Sequence, residues 1–180
     1  RVEDGRRVLS SASEPYDFIF SDVYSSLYSI PGHFTTREFF QLSKDKLSDG
    51  GIFVANLIGD ISRQQPSFLF SELKTFKQVF PHAVAIADQD AGTRVLQNVL
   101  LIGVKSDNDV QAVREKIAPL VRSLHGEFLD FDRFEWSENQ VLTDVFSPID
   151  QLTASAISRM EDGIDTQPKG REMLAAIAQQ

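Results

Sequence analysis

Tyr16-Asp17-Phe18-Ile19-Phe20-Ser21-Asp22 is the stretch that decides the fold of this chain. It is a short, mostly apolar run rich in aromatic and β-branched residues, and it ends in an acid. The run is too short for an amphipathic helix and too apolar for a loop, so it reads as a buried strand of a parallel sheet. In open α/β sheets, ligands bind in the crevice beyond the carboxyl ends of the strands. Asp22, which closes this run, is therefore the first candidate for a functional side chain.

The pattern continues outward from that strand. A Ser/Tyr-rich loop runs from Val23 to His33, with Pro31 and Gly32 near its end. Thr35 or Thr36 can cap a helix reaching to about Leu47, with Glu38 in its first turn and Phe39, Phe40, Leu42 and Leu47 facing inward. Ser48-Asp49-Gly50-Gly51 is a stop and turn signal, and Ile52-Phe53-Val54-Ala55-Asn56-Leu57 reads as the next strand. Pro66 to Val79 has the periodicity of an amphipathic helix with Phe68, Leu69, Leu73 and Phe76 on one side. Strands are expected at His82 to Ala87 and Asn98 to Val104, joined in hairpin fashion through Asp88 to Thr93. Asp109 to Leu124 is a further helix that Pro119 would kink or divide. Beyond it the pattern weakens, and Met160 to Gln180 reads as a docked helix or, more simply, a frayed tail.

This order of elements gives an α/β fold: the C-terminal half of a methyltransferase-type Rossmann sheet, parallel with a terminal antiparallel hairpin and a C-terminal helical extension. Residues 1–150 form this partial domain and residues 151–180 the tail. The glycine-rich loop and ribose-binding acid of a complete Rossmann half are absent from the sequence. Gly50-Gly51, the one adjacent glycine pair, precedes a strand rather than following one. A sheet that starts at Tyr16 also leaves an unpaired apolar edge around Phe18 to Phe20, which invites a homodimer or aggregation.

Composition narrows the function classes. The net charge of −8 argues against nucleic-acid or anionic-membrane binding and suits cationic partners, although acidity also simply aids solubility. The absence of cysteine excludes disulfides, thiolate catalysis and cysteine-ligated metals. His33, His82 and His125 lie too far apart for metal-ligand spacing, so no metal cofactor is expected. No apolar run is long enough to span a membrane. The chain starts with Arg1 rather than Met, which is compatible with a piece of a longer protein that carries an upstream targeting or membrane segment.

Several segments in order resemble the polyamine aminopropyltransferases, the spermidine synthase family, and most closely the branch often fused to membrane segments. Asp4-Gly5-Arg6-Arg7-Val8-Leu9 is similar to the family's D-G-x-x-(F/V)-L, and Tyr16 to Asp22 resembles its Y-D-(V/I)-I-x-x-D strand. Ile30 to Phe40 resembles P-x-x-L-x-T-x-E-F-(F/Y), and Leu47 to Ile52 resembles L-x-x-G-G-(I/V). Leu142-Thr143-Asp144-Val145-Phe146-Ser147-Pro148 is similar to a signature near the end of the fused branch. The resemblance implies that an amine attacks the aminopropyl carbon of decarboxylated S-adenosylmethionine, with S-adenosylmethionine itself as the other candidate co-substrate. It implies a cytoplasmic protein, or one at the cytoplasmic membrane face if the parent is membrane-fused.

By this resemblance Asp22 takes the place of the catalytic aspartate; the alternative is a carboxylate that caps its own loop. Asp4 and Gly5 would bind the adenine end of the nucleotide, and Asp4 could equally be the N-cap of a helix starting near Arg6. Tyr24 and Ser25 would face the substrate, although a loop tyrosine often merely packs. The family carries a second aspartate where this chain has Ser25, and that loss removes a counter-charge for the amine. His33 could contact substrate but reads more simply as a solvated loop residue, and Glu38 reads as a helix-start acid. Asn56 ends its strand at the same sheet edge as Asp22 and could contact ligand, with turn stabilisation the simpler role, and Asp144 reads as an organiser of its loop. Asp130, Asp132 and Glu135 among Phe131, Phe134 and Trp136 read as a solvated segment with buried aromatics.

Three functions stand at this point. One is aminopropyl transfer in the full-length parent, with this stretch inactive alone. The second is methyl transfer from S-adenosylmethionine to a small molecule on the same sheet. The third is a non-catalytic module that binds a ligand or partner.

Overall fold

The computed structural model describes residues 3–24, 31–61, 67–88, 97–106 and 109–154. Helix α1 (Gly5–Ser11) precedes strand β1 (Tyr16–Ser21). Helix α2 (Arg37–Asp45) leads into the long strand β2 (Leu47–Gly59), and α3 (Phe68–Val79) leads to β3 (Val84–Ala87). Then come β4 (Gln97–Val104), α4 (Val110–Ser123) and the two-residue strand β5 (Glu127–Phe128).

The five strands form one sheet in the order β1-β2-β4-β3-β5. β1 and β2 pair in parallel, whereas β2–β4, β4–β3 and β3–β5 are antiparallel. β1, β2 and β3 therefore run in one direction, each of the last two reached through a helix, as expected for a Rossmann-type half. The hairpin of β3 and β4 does not sit at the margin. β4 inserts between β2 and β3, and β5 adds an outer strand that its two-residue length hid in the sequence. Pro119 lies inside a helix that continues from Val110 to Ser123, so it does not divide α4. Residues 149–154 are helical; the expected tail beyond them lies outside the described residues.

Local chemistry explains the element boundaries. Thr36 caps α2 by accepting a hydrogen bond from Phe39 N–H, and Ser67 caps α3 by accepting one from Phe70 N–H. The turn signal Ser48-Asp49-Gly50-Gly51 falls inside β2, where the register against β1 slips between the pairs Tyr16–Leu47 and Phe18–Ile52. Gly50 carries φ of 76° there, a left-handed conformation that glycine adopts without a Cβ penalty.

Two apolar layers cover the sheet. On one face α2 and α3 bury Phe40, Phe53, Phe76 and Phe80 against β2, with Phe40 and Phe76 edge to face at 5.0 Å and Phe76 and Phe80 stacked at 4.8 Å. A Cβ on Gly103 of β4 would come within 2.5 Å of the Phe80 ring, so that close approach requires glycine. On the other face α4 packs Val113, Ile117 and Val121 against Val84, Ile86, Leu100 and Ile102. α4 does not reach β1. Phe18 and Phe20 are 55% and 43% exposed beside the half-buried Ile52 and Val54, so this strand is an uncovered edge rather than the buried strand its composition suggests.

The irregular segment after β5 is held by polar groups of α3. Ser71 Oγ and Thr75 Oγ1, both fully buried, accept from the backbone N–H of Gln140 and Leu142, and Lys74 Nζ donates to the carbonyls of Trp136 and Asn139. Lys77 Nζ lies 5.4 Å from the Phe131 ring and 5.9 Å from that of Trp136. The aromatic segment thus already carries an internal cation.

Phe76 joins α2, α3 and β2 through ring contacts and is completely buried. Phe76→Ala is expected to cost about 3–5 kcal/mol, the usual range for a buried aromatic truncated to a methyl. Urea unfolding followed by circular dichroism measures it, and a loss below about 1 kcal/mol would contradict this packing.

Candidate functional site at the carboxyl end of the first strand

β1 delivers its last residue, Ser21, into register with Ala55 of β2, and the chain then leaves the sheet at Asp22. Asp22 is exposed, whereas Ser21 and Tyr24 on either side are buried. Parallel pairing puts Asn56, the residue after Ala55, beside Asp22. Asn56 Nδ2 donates to Asp22 Oδ1 at 3.0 Å. Asn56 is not at a strand end, as its sequence position suggested. It lies inside β2, pairs with Leu100 of β4 and is 5% exposed. Its other polar atom, Oδ1, is shielded from solvent and has no hydrogen-bond partner among the described residues. A buried acceptor left unsatisfied costs about 1–3 kcal/mol, which a donor reaching it would recover.

Tyr24 turns inward. It is 9% exposed, its ring is tilted against Phe68 at 6.1 Å, and its hydroxyl donates to Glu72 Oε2 at 2.5 Å. Glu72 sits on α3 in line with Phe68 and Phe76, each four residues away, and is 1% exposed. Burial pushes its carboxyl up to about 8, with the Tyr24 hydrogen bond pulling the other way. Burial likewise raises the Tyr24 phenol well above its ordinary value, helped by the adjacent Glu72. Neither the apolar composition around Tyr24 nor its loop setting suggested this pair. The available signal was an acid on the buried face of an otherwise apolar helix.

Asp4 caps α1, its Oδ1 accepting from Arg7 N–H at 2.9 Å, and its Oδ2 meets His33 Nε2 at 2.9 Å. The Arg7 N–H and then His33 hold its carboxyl below the ordinary range. Gly5 opens α1, with the Phe34 ring 3.4 Å from where its Cβ would be. Arg6 of the same turn forks onto both carboxylate oxygens of Asp144 and also donates to the His33 carbonyl. Thr36 Oγ1 donates to Asp144 Oδ1, and Asp144 N–H donates to Glu38 Oε2. The Arg6 hydrogen bonds are the main cause of the lowered Asp144 pKa. Burial would raise Glu38, but backbone N–H bonds including that of Asp144 outweigh it and keep the carboxyl low. Asp4, His33, Glu38 and Asp144 are thereby one network that ties α1, α2 and the 142–148 turn together. Ser25 lies outside the described residues. A cleft of about 890 Å³ opens before β3, at the opposite end of the sheet from Asp22; it is lined by Lys77, Arg114 and Arg133 among others and by neither Asp4 nor Asp22. Among the described residues no group of three or more His, Asp or Glu could hold a metal ion, and no helix is long and apolar enough to cross a membrane.

No protein-family model matches the chain. The chain is 30% identical over 150 residues to the polyamine aminopropyltransferase of Vibrio vulnificus strain CMCP6, an alignment that covers 77% of this chain and 46% of that protein. Its fold is similar to the crystal structure of a probable spermidine synthase from Corynebacterium glutamicum ATCC 13032, with a TM-score of 0.60 and 29% identity over 82% of this chain and 55% of that one. Sheet and helices together define a Rossmann-like α/β protein of the methyltransferase type. Within that class the chain belongs to the spermidine synthase-like family. It spans about half the length of the relatives it matches.

Burial of Glu72 makes the stability of the chain depend on pH. Its folded-state pKa of about 8 lies above the ordinary 4.5, so the folded chain holds a proton that the unfolded chain has released. The stability this contributes is fully present below about pH 4.5 and is lost as pH rises through about 8. Glu72→Gln is neutral at every pH. It is expected to gain stability relative to the wild type between pH 5 and pH 8, read as a growing difference in urea midpoint. A difference that stays constant over that interval would show that Glu72 does not titrate in this way.

Proposed function

We propose that this chain supplies the amine-facing side of an aminopropyltransferase site: in the whole protein, an aminopropyl group passes from decarboxylated S-adenosylmethionine to an amine. The observation that carries this reading is the Asp22–Asn56 pair. A carboxylate stands at the carboxyl edge of a Rossmann-type sheet, oriented by an amide whose carbonyl lacks a donor. A primary amine presents several N–H donors, one for each such acceptor. The names of the two relatives, a polyamine aminopropyltransferase and a probable spermidine synthase, support the same chemistry.

In the proposed step the lone pair of a neutral amine forms a C–N bond to the aminopropyl carbon as the C–S bond breaks and methylthioadenosine departs. The nitrogen becomes cationic and gives up a proton, for which Asp22 is the acceptor. The Asn56 amide keeps the Asp22 carboxylate turned toward that nitrogen, and most of the rate comes from alignment of nucleophile and sulfonium carbon. Asp4 and Gly5 are proposed for the nucleotide side, where the Asp4 carboxylate would exchange His33 for the adenine amino group. Ser25 in place of a second aspartate leaves one fewer counter-charge for the acceptor amine. The sequence contains no glycine-rich nucleotide loop, so the 180-residue chain alone is expected to bind amines without turning them over.

Isothermal titration with putrescine tests the reading. The wild-type chain is expected to bind, and Asp22→Asn to weaken binding about tenfold or more, as befits loss of a charged hydrogen-bond partner. Equal affinity in the two proteins would overturn the assignment of Asp22. Putrescine turnover by the isolated chain with decarboxylated S-adenosylmethionine would overturn its inactivity.

A further inference from the structure

Asp22 is followed by a short segment that enters the core again at Tyr24. Its position therefore depends on two anchors. One is the Ser21–Ala55 pairing at the end of β1, continued by the Asn56 hydrogen bond. The other is Tyr24, whose ring packs on Phe68 and whose hydroxyl is bound to Glu72. Resting on the amine-facing reading of Asp22, we propose that Glu72 and Tyr24 form an internal latch that fixes the Asp22 carboxylate at the sheet edge, which makes Glu72 a positioning residue for that site.

Three observations carry this. First, the latch is rigid at its far end. α3 packs against α2 and β2, and its Ser71, Lys74 and Thr75, flanking Glu72 in sequence, are bonded to the backbone of residues 136–142. A side chain held by such an element holds its partner well. Second, the polar pair is costly in this place. A carboxyl and a phenol are both buried, the phenol ring against Phe68, where apolar residues of similar volume would be as stable or more so. Their retention is accounted for by direction rather than by stability, because a hydrogen bond specifies an orientation that an apolar contact leaves free. Third, the raised Glu72 pKa keeps the carboxyl protonated near neutrality. The latch then adds no buried negative charge next to a site whose own carboxylate must attract a cation. Tyr24 is on this view not a surface on which a substrate stacks; it acts through the backbone of the Asp22 segment.

The test separates orientation from stability and does not depend on amine binding. The side-chain amide signals of Asn56 in a ¹⁵N–¹H correlation spectrum report the Asn56–Asp22 hydrogen bond directly. Glu72→Gln retains an acceptor for the Tyr24 hydroxyl and is expected to keep these signals at wild-type positions. Tyr24→Phe is expected to move them toward the values of a solvent-exposed asparagine. The double variant Tyr24→Phe/Glu72→Met removes both polar partners with little change in volume, so at pH 5, where the folded chain keeps Glu72 protonated, it is expected to keep the wild-type urea midpoint within a few tenths molar while showing the same displaced signals. In parallel, its putrescine affinity is expected to fall by the factor seen for Asp22→Asn. Unchanged Asn56 signals in the folded double variant would overturn the latch, and so would displaced signals in Glu72→Gln. If instead no protein in the series binds putrescine while the Asn56 signals behave as stated, the latch stands and the amine reading of Asp22 is the part that fails.

Discussion

Parallel pairing between β1 and β2 is the constraint from which the site follows. Residues paired across a parallel ladder share a face of the sheet. Once Ser21 is set against Ala55, Asp22 and Asn56 are neighbours where β1 ends, while β2 runs on to Gly59. The slip in register at Ser48-Asp49-Gly50-Gly51 is therefore consequential. Without those bulged residues the β2 side of every pair from Phe18 onward would shift, and a residue other than Asn56 would meet Asp22.

The register in turn is held by the aromatic layer behind it. Phe53, three residues before Asn56, is buried among Phe39, Phe40, Phe76 and Phe80, so β2 cannot slide without breaking ring contacts to α2 and α3. The same helix α3 that supplies Phe76 supplies Glu72, and through Tyr24 it reaches the segment carrying Asp22. Core and site thus draw on the same face of α3. The second network, from Arg6 through Asp144 to Thr36 and Glu38, works at longer sequence range. It joins residues more than 100 positions apart, which binds the 142–148 turn to the first helix.

What could be read from the residues was the local part of this arrangement. Short apolar runs marked the four longer strands and period-3.6 patterns the longer helices, and of the two threonines that could cap α2 it is Thr36 that does so. The insertion of β4 between β2 and β3 was not readable, because strand order is a matter of long-range pairing that no local period encodes. β5 was too short to show a period at all. In the site, Asp22 announced itself as an acid closing an apolar strand. Asn56 did so only in part: its place at the same sheet edge as Asp22 was readable, but an asparagine near the end of an apolar run looks more like turn chemistry until the partner strand is known. Glu72 carried a signal that was overlooked: an acid spaced four residues from each of two buried phenylalanines cannot face water.

Asn56 and Glu72 have a common physical character. Each is a polar group whose burial runs against its solvation, and each is tied to the short segment from Asp22 to Tyr24. A fold has no stability reason to place a partnerless amide oxygen and a protonated carboxyl on either side of one loop, since each raises the free energy of the folded state. Such costs are tolerated where geometry matters more than stability, and sites that must hold a carboxylate at a defined angle are the usual place for them. The side chains that looked least suited to the core are therefore the ones that point to the working edge of the sheet. The more conspicuous acids, Asp4 and Asp144, are accounted for by the caps and ion pairs they make.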